Sequence, residues 1–141
     1  LDVGCAKGFM LHDFAKAVPR LLIAGVDVSR YAISNALPDV RKAVRVANAI
    51  DLPFPDGAFD LVVSINTLHT LGRADCLRAL REIERVSSQS AYITVDSWST
   101  NEEKQRMFDW NLTAKTILHV NDWIELFDEA GYTGDFGFFI P

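Results

Sequence analysis

The chain has 141 residues, 49% of them hydrophobic and 23% charged, which suits one core-forming globular domain spanning residues 1–141. A formal net charge of −5 argues against a polyanionic partner, and Arg41-Lys42…Arg45 reads as a solvated loop edge, so neither nucleic acid nor membrane is expected. No apolar run reaches bilayer length, no signal peptide is visible, and Cys5 and Cys76 lack metal-type spacing, so a metal-free cytoplasmic protein with reduced thiols is expected.

Leu1 already belongs to a strand, so the chain reads as a fragment whose N-terminal cap region is absent. The strand runs into the glycine-bearing turn Asp2-Val3-Gly4-Cys5-Ala6-Lys7-Gly8. Leu11, Phe14, Ala15 and Val18 then recur at helical spacing until Pro19. The apolar run Leu21–Val26 predicts a central parallel strand with Asp27 at its end. Ser29 can cap a helix carrying Ile33, Ala36 and Leu37, which Pro38 ends. Val44–Ala47 predicts a short third strand.

The turn-rich connector Leu52–Gly57 leads into a fourth strand, Phe59–Ile65, apolar on both faces. A helix is expected over about Arg73–Val86, with Leu77, Leu80 and Ile83 inward, then a fifth strand at Ala91–Val95. Thr100-Asn101-Glu102-Glu103 has capping-box form. Trp123, Leu126, Phe127 and Ala130 make an amphipathic face that Gly131 terminates, and Thr133–Ile140 reads as a last strand. The alternation of strand and helix predicts an α/β fold: a Rossmann-like, doubly wound, mostly parallel sheet with helices on both faces.

Three strand ends carry polar or glycine-rich chemistry. Asp2-x-Gly4-x-Ala6-x-Gly8 lets backbone approach a ligand closely. Asp27 can accept from both hydroxyls of a ribose. The Asn48 side chain can accept from an adenine amino group through its amide oxygen, while Ala49 and Ile50 offer backbone groups and an apolar wall. In an open α/β sheet these ends share the edge that holds the ligand crevice.

The series resembles the class I S-adenosylmethionine-dependent methyltransferases. Leu1–Gly8 matches their first motif, Gly25-Val26-Asp27-Val28-Ser29 their acidic second motif, and Asn48–Ser64 the stretch through the fourth strand. Leu80–Val86 resembles the helix that follows. Ala6 stands where the family usually has its middle glycine, Asn48 replaces a frequent Asp, and Ser87–Ser90 replaces a Lys-Pro-Gly-Gly turn. The family's closing antiparallel strand is not evident after Pro141. The resemblance implies S-adenosylmethionine as cofactor. Gly4, Cys5 and Gly8 would surround its methionine portion and Asp2 would support the ammonium end. Asp27 would hold the ribose, Val28 would pack on the adenine, Asn48 and Ala49 would read the adenine edge, and Asn66 would lie under the sulfonium.

Methyl transfer is an in-line displacement in which the protein chiefly positions the nucleophile and excludes water. His69, expected at the pocket mouth, is the candidate general base, although a helix-capping or wall position without chemistry suits it better. Asp96 and His119 are further candidates at the opposite rim. The aromatic segment after the fifth strand, with Trp98 and Trp110, is the expected contact for a small-molecule acceptor, with His119 beside it. Two other readings are a non-catalytic subunit of the same fold and an NAD(P)-binding Rossmann oxidoreductase. The oxidoreductase fingerprint needs glycines where Ala6 and Phe9 stand.

Overall fold

The computed structural model describes residues 1–140. In chain order it contains β1 (Asp2–Val3), α1 (Phe9–Ala17), β2 (Gly25–Asp27), α2 (Arg30–Ser34), β3 (Val44–Val46) and β4 (Phe59–Ile65). These are followed by α3 (Arg73–Val86), β5 (Ser87–Trp98), α4 (Asn101–Trp110), β6 (Leu118–His119), α5 (Val120–Ala130) and β7 (Asp135–Phe139). A 3-10 turn, Leu68–Thr70, links β4 to α3. The sheet runs β3-β2-β1-β4-β5, and every pairing between its named strands is parallel. The outer edge of β5 is shared: Tyr92–Asp96 pairs with β7, and Ser97–Trp98 with β6. Order reverses between β1 and β4, the switch point at which such sheets open a crevice.

The larger core lies between the sheet and α3 and α5. Leu80, Ile83, Trp123, Leu126 and Phe127 pack with Val62, Ala91, Ile93 and Val95, all essentially buried. Cys76, Ala79, Leu80, Ile83 and Val86 form the inward stripe of α3 at helical spacing. Each large apolar side chain buried here contributes about 1.5–3 kcal/mol. At the end of α3, Arg85 donates to Glu82, Asp56 and the carbonyls of Leu52 and Phe54, at 2.7–3.1 Å. That fork fastens the turn-rich connector beneath β4. A smaller core of Cys5, Leu11, Ala36, Val40 and Val44 binds α1 and the α2–β3 connection to the other face.

Several elements follow the sequence reading closely. β4 and α3 have the expected bounds, Thr100 and Glu103 form the reciprocal capping box, and Gly131 closes α5 at φ 72°. Three differ. β2 covers Gly25–Asp27 rather than the whole apolar run, because β1 and β3 supply ladder partners only from Asp2 and Val44. Leu22 is consequently 96% exposed. The fourth strand is less two-sided than expected, since Leu61 and Ile65 are exposed. α2 ends at Ser34, where the Asn35 N–H closes the last turn well before Pro38. β5 is longer at both ends than Ala91–Val95. The polar Ser87–Ser90 segment pairs with Phe59 and Leu61, and its far end reaches Trp98 opposite His119.

Candidate functional site

A cleft of about 230 Å³ opens at the carboxyl edge of β1, β2 and β4, lined by Gly4, Val26, Asp27, Val28, Ala47, Asn48, Ala49, Asn66, Thr67, Thr70 and Leu71 with Val3. Its floor is the turn after β1. Gly4 N–H and Cys5 N–H both donate to the Val26 carbonyl, at 2.8 and 2.9 Å. Gly4 has φ 91°, and a Cβ there would stand 2.1 Å from Thr67 Oγ1, so only glycine fits. Ala6 is also left-handed, at φ 46°, which explains why glycine suits that position and costs this chain about 1–2 kcal/mol of backbone strain. The Asp27 carboxylate closes the turn. One oxygen accepts from Ala6 N–H at 2.9 Å and the other from Ser29 N–H at 2.8 Å. Each oxygen keeps a second lone pair for a ligand hydroxyl.

Across the cleft, the Asn48 amide oxygen, expected to accept from a ligand amino group, already accepts from Ile50 N–H at 3.3 Å in a local turn and keeps one further lone pair. Val28 is 70% exposed beside it, an apolar platform open to a ligand. Asn66, directly after β4, is in the left-handed region at φ 50°. Its N–H donates to the Thr94 carbonyl and hydroxyl, and its side-chain oxygen accepts from the Thr94 hydroxyl at 2.9 Å. Asn tolerates this conformation better than most residues.

A second polar group lies at the tip of β5. His69 is buried in the 3-10 turn, where its Nδ1 accepts from Asp96 N–H at 3.0 Å and its Nε2 stands 3.5 Å from Asp96 Oδ2. An Nδ1 that accepts places the ring proton on Nε2, toward the carboxylate. Burial lowers the His69 pKa and raises that of Asp96, while each partner's charge opposes its shift. Asp96 Oδ1 and the Trp98 indole N–H are buried without a hydrogen-bond partner among the described residues. Trp98 meets the His119 ring edge-on at 4.8 Å and carries Lys104 over its face at 4.6 Å. Trp110 packs on Phe139, which stands opposite Asp96 in the β5–β7 ladder.

A family model for methyltransferase domains matches residues 1–95. The chain belongs to that family. It is 28% identical over 132 residues to a malonyl-[acyl-carrier protein] O-methyltransferase of Legionella pneumophila, covering 91% of this chain and 45% of that protein. It is 27% identical over 126 residues to a tRNA (carboxymethyluridine(34)-5-O)-methyltransferase of Arabidopsis thaliana, covering 88% of this chain and 30% of that protein. The chain thus spans less than half the length of these curated relatives. Among solved structures, a Haloferax volcanii complex between the Trm112 methyltransferase activator and a methyltransferase has the same fold. Its TM-score is 0.74 at 24% identity, over 92% of this chain and 59% of that one.

The methyltransferase domain is of the class I type, whose members use S-adenosylmethionine. The cleft fits the adenosyl half of that cofactor. It offers carboxylate lone pairs on Asp27, an uncovered apolar platform on Val28, an amide on Asn48, and a turn at Gly4 that admits no side chain. The structure therefore brings Gly4, Asp27, Val28, Asn48, Ala49 and Asn66 together, as the sequence reading expected.

It separates others. Cys5 does not line the cleft: its thiol turns toward α1, against Leu11 and Gly25, and burial pushes it up to about 12. Gly8 caps α1 and packs on Val40, where a Cβ would stand 2.6 Å from Cγ2. Asp2 is 2% exposed beneath the turn rather than in the lining, and burial raises its carboxyl to about 6. His69 is likewise not at the mouth; the 3-10 turn folds it inward onto Asp96 while Thr67, Thr70 and Leu71 take the cleft side. Those three lining residues were missed by the sequence reading. Their one signal is their place directly after Asn66 at the ligand edge. Trp98 and His119 do meet, whereas Trp110 lies half-exposed against Phe139.

Proposed function

We propose that this chain is the cofactor-binding part of an enzyme that methylates a small-molecule acceptor. The reading rests on one observation: Gly4, Asp27, Val28 and Asn48, far apart in sequence, line a single cleft at the switch point of the sheet. When bound, S-adenosylmethionine supplies a methyl on a sulfonium whose thioether leaves as a neutral group. The chain's own residues do the rest. Asp27 binds vicinal hydroxyls while its contacts to Ala6 and Ser29 hold the turn in shape. Val28, Ala49 and Leu71 give the flat apolar contact that a purine needs and exclude water from it. Asn66, fixed by Thr94, marks the inner wall nearest the tip of β5, where the aromatic residues offer an acceptor surface.

The relatives' names include a protein-bound acyl group and a tRNA base as acceptors. The aromatic, uncharged character of Trp98 and Trp110 supports a small ring-bearing acceptor here, and the net charge of −5 disfavours a polynucleotide. Isothermal calorimetry with S-adenosylhomocysteine tests the reading. The wild type is expected to bind, and Asp27→Ala to bind at least tenfold more weakly, since hydrogen bonds to a charged group contribute about 1.5–3 kcal/mol. No binding by the wild type, or undiminished binding by the variant, sinks it.

A further inference from the structure

Asn66 lines the cleft, and its hydrogen bonds all go to one residue of the neighbouring strand. Its N–H donates to the Thr94 carbonyl at 3.1 Å and to the Thr94 hydroxyl at 3.0 Å, and that hydroxyl donates to the Asn66 side-chain oxygen at 2.9 Å. A hydroxyl has one proton. Thr94 takes the backbone N–H with a lone pair and spends its proton on the carboxamide, so the amide oxygen is turned to β5. The amide N–H₂ has no partner among the described residues. Such over-determination is how a left-handed residue persists at a ligand site. Other donors around this end of the cleft are spent. The Thr67 and Thr70 hydroxyls donate to the carbonyls of Ile65 and Thr67, at 3.1 and 2.7 Å. The N–H groups of Gly4, Cys5, Ala6 and Gly8 all serve Val26, Asp27 and Cys5.

We propose that Thr94 is a positioning residue, which makes Asn66 a hydrogen-bond donor for the amino-acid carboxylate of S-adenosylmethionine. The identity of that ligand rests on the function proposed above. Reach supports the assignment. The sheet order puts β1 between β2 and β4, so Asp27 and Asn66 stand two strand spacings apart, about 10 Å. With the ribose at Asp27, the sulfur is one bond beyond the 5′ carbon and reaches only the neighbouring strand. The carboxylate, several bonds further on, is the group long enough to reach the end of β4. Charge agrees with reach. An amide N–H₂ carries partial positive charge and repels a sulfonium, whereas a carboxylate gains a charge-assisted hydrogen bond from it. Asn66 therefore grips the amino-acid arm and does not lie under the sulfonium. Without the Thr94 hydroxyl the carboxamide is free to turn its oxygen to the cleft, where it repels the same carboxylate.

The test uses the full 141-residue chain and two probes, S-adenosylhomocysteine and S-adenosyl-3-thiopropylamine, which lacks only the carboxylate. Calorimetry gives both affinities. Thr94→Val keeps the shape and loses the hydroxyl; it is expected to bind S-adenosylhomocysteine about tenfold more weakly and to leave the amine analogue unchanged. Thr94→Ser restores the hydroxyl and is expected to bind both probes as the wild type does. Equal weakening of both probes by Thr94→Val, as a merely structural role would give, overturns the proposal, and so does undiminished binding of S-adenosylhomocysteine. Asn66→Asp is a second variant at an exposed position whose left-handed backbone Asp tolerates. It puts an oxygen where the N–H₂ stands and is expected to select against the carboxylate probe by about tenfold. In the wild type, the Asn66 side-chain ¹H–¹⁵N peaks are expected to shift with S-adenosylhomocysteine and to stay in place with the amine analogue. Unmoved peaks at saturation overturn the proposal without any variant having to fold. If S-adenosylhomocysteine binds and those peaks stay in place, the role of Thr94 falls alone. If it does not bind the wild type, the cofactor reading falls and the role of Thr94 falls with it.

Discussion

Asp27 and Asp96 both stand at carboxyl ends of parallel strands in one sheet, yet their surroundings are opposite. Asp27 borders an open cleft, and two backbone N–H groups hold its oxygens. Asp96 is sealed in, with one oxygen 3.5 Å from a histidine and the other unpaired among the described residues. The strand end places a carboxylate at the ligand edge; the loop that follows decides whether that carboxylate supports the fold or strains it. The Asp27 loop wraps back on its own side chain. The segment after β5 runs on into the Thr100 cap, whose hydrogen bonds go to Glu103 and leave Asp96 to itself.

The contrast breaks first at Asp27. Asp27→Ala removes both contacts that close the turn, leaving Ala6 and Ser29 N–H without their charged acceptor. At the low end of about 1.5 kcal/mol for each such bond, stability falls by about 3 kcal/mol. Urea unfolding at neutral pH measures it. A loss under 1 kcal/mol means that the carboxylate does not hold the loop.

A third carboxylate sharpens the comparison through pH. Burial raises Asp2 from 3.8 to about 6, and Asp27 nearby adds to the shift. A raised acid lends stability that is complete below its unfolded pKa and is lost as pH rises through the folded one. Between pH 4.5 and pH 7.5, Asp2 therefore withdraws about 2 kcal/mol. His69 acts in the opposite sense: burial lowers its pKa, so its share is lost as pH falls below 6.5. Asp2→Asn isolates the first effect. Plotted against pH, the stability of the variant minus that of the wild type is expected to climb by that amount across the window. A flat difference means that Asp2 is not desolvated.

The parts of this molecule that sequence made legible are those set by local rules. The stripe of α3, the Thr100–Glu103 box and Gly131 each depend on residues within a few positions of one another. The convergence of Gly4, Asp27 and Asn48, far apart in sequence, was legible through topology instead, since parallel strands bring their carboxyl ends to one edge. What escaped depends on partners elsewhere. Leu21–Ala24 is apolar enough for a strand, but β1 and β3 do not extend alongside it. Cys5 sits inside a ligand-loop motif, but the bifurcated bond to Val26 turns its side chain away. His69 lies at the expected edge, but a 3-10 turn reverses its direction, and no pattern in Thr67–Leu71 announces that turn. Asp96 looked like one more rim residue because its burial comes from a histidine 27 positions away.

The smallest expected effect is the most discriminating. Asp96→Asn keeps the shape of the side chain and removes the charge whose free oxygen has no donor. If Asp96 resembled Asp27, the change would destabilise the fold. Because the carboxylate is buried and half-paired, the change is expected to stabilise it by about 1 kcal/mol at pH 8, the low end of what an unpaired buried polar group costs. The gain has a pH signature of its own. Burial raises the Asp96 pKa, so the wild type suffers the penalty only where the group is ionised. As pH falls through the folded pKa, the wild type takes up a proton and the advantage of Asp96→Asn fades. Thermal unfolding of both proteins at pH 8 and pH 5 reads the sign and the trend together. Destabilisation at pH 8 would place a donor on Oδ1 and make the two strand ends alike. Stabilisation that shrinks with acid means that the fold keeps the ionised Asp96 at a cost in stability.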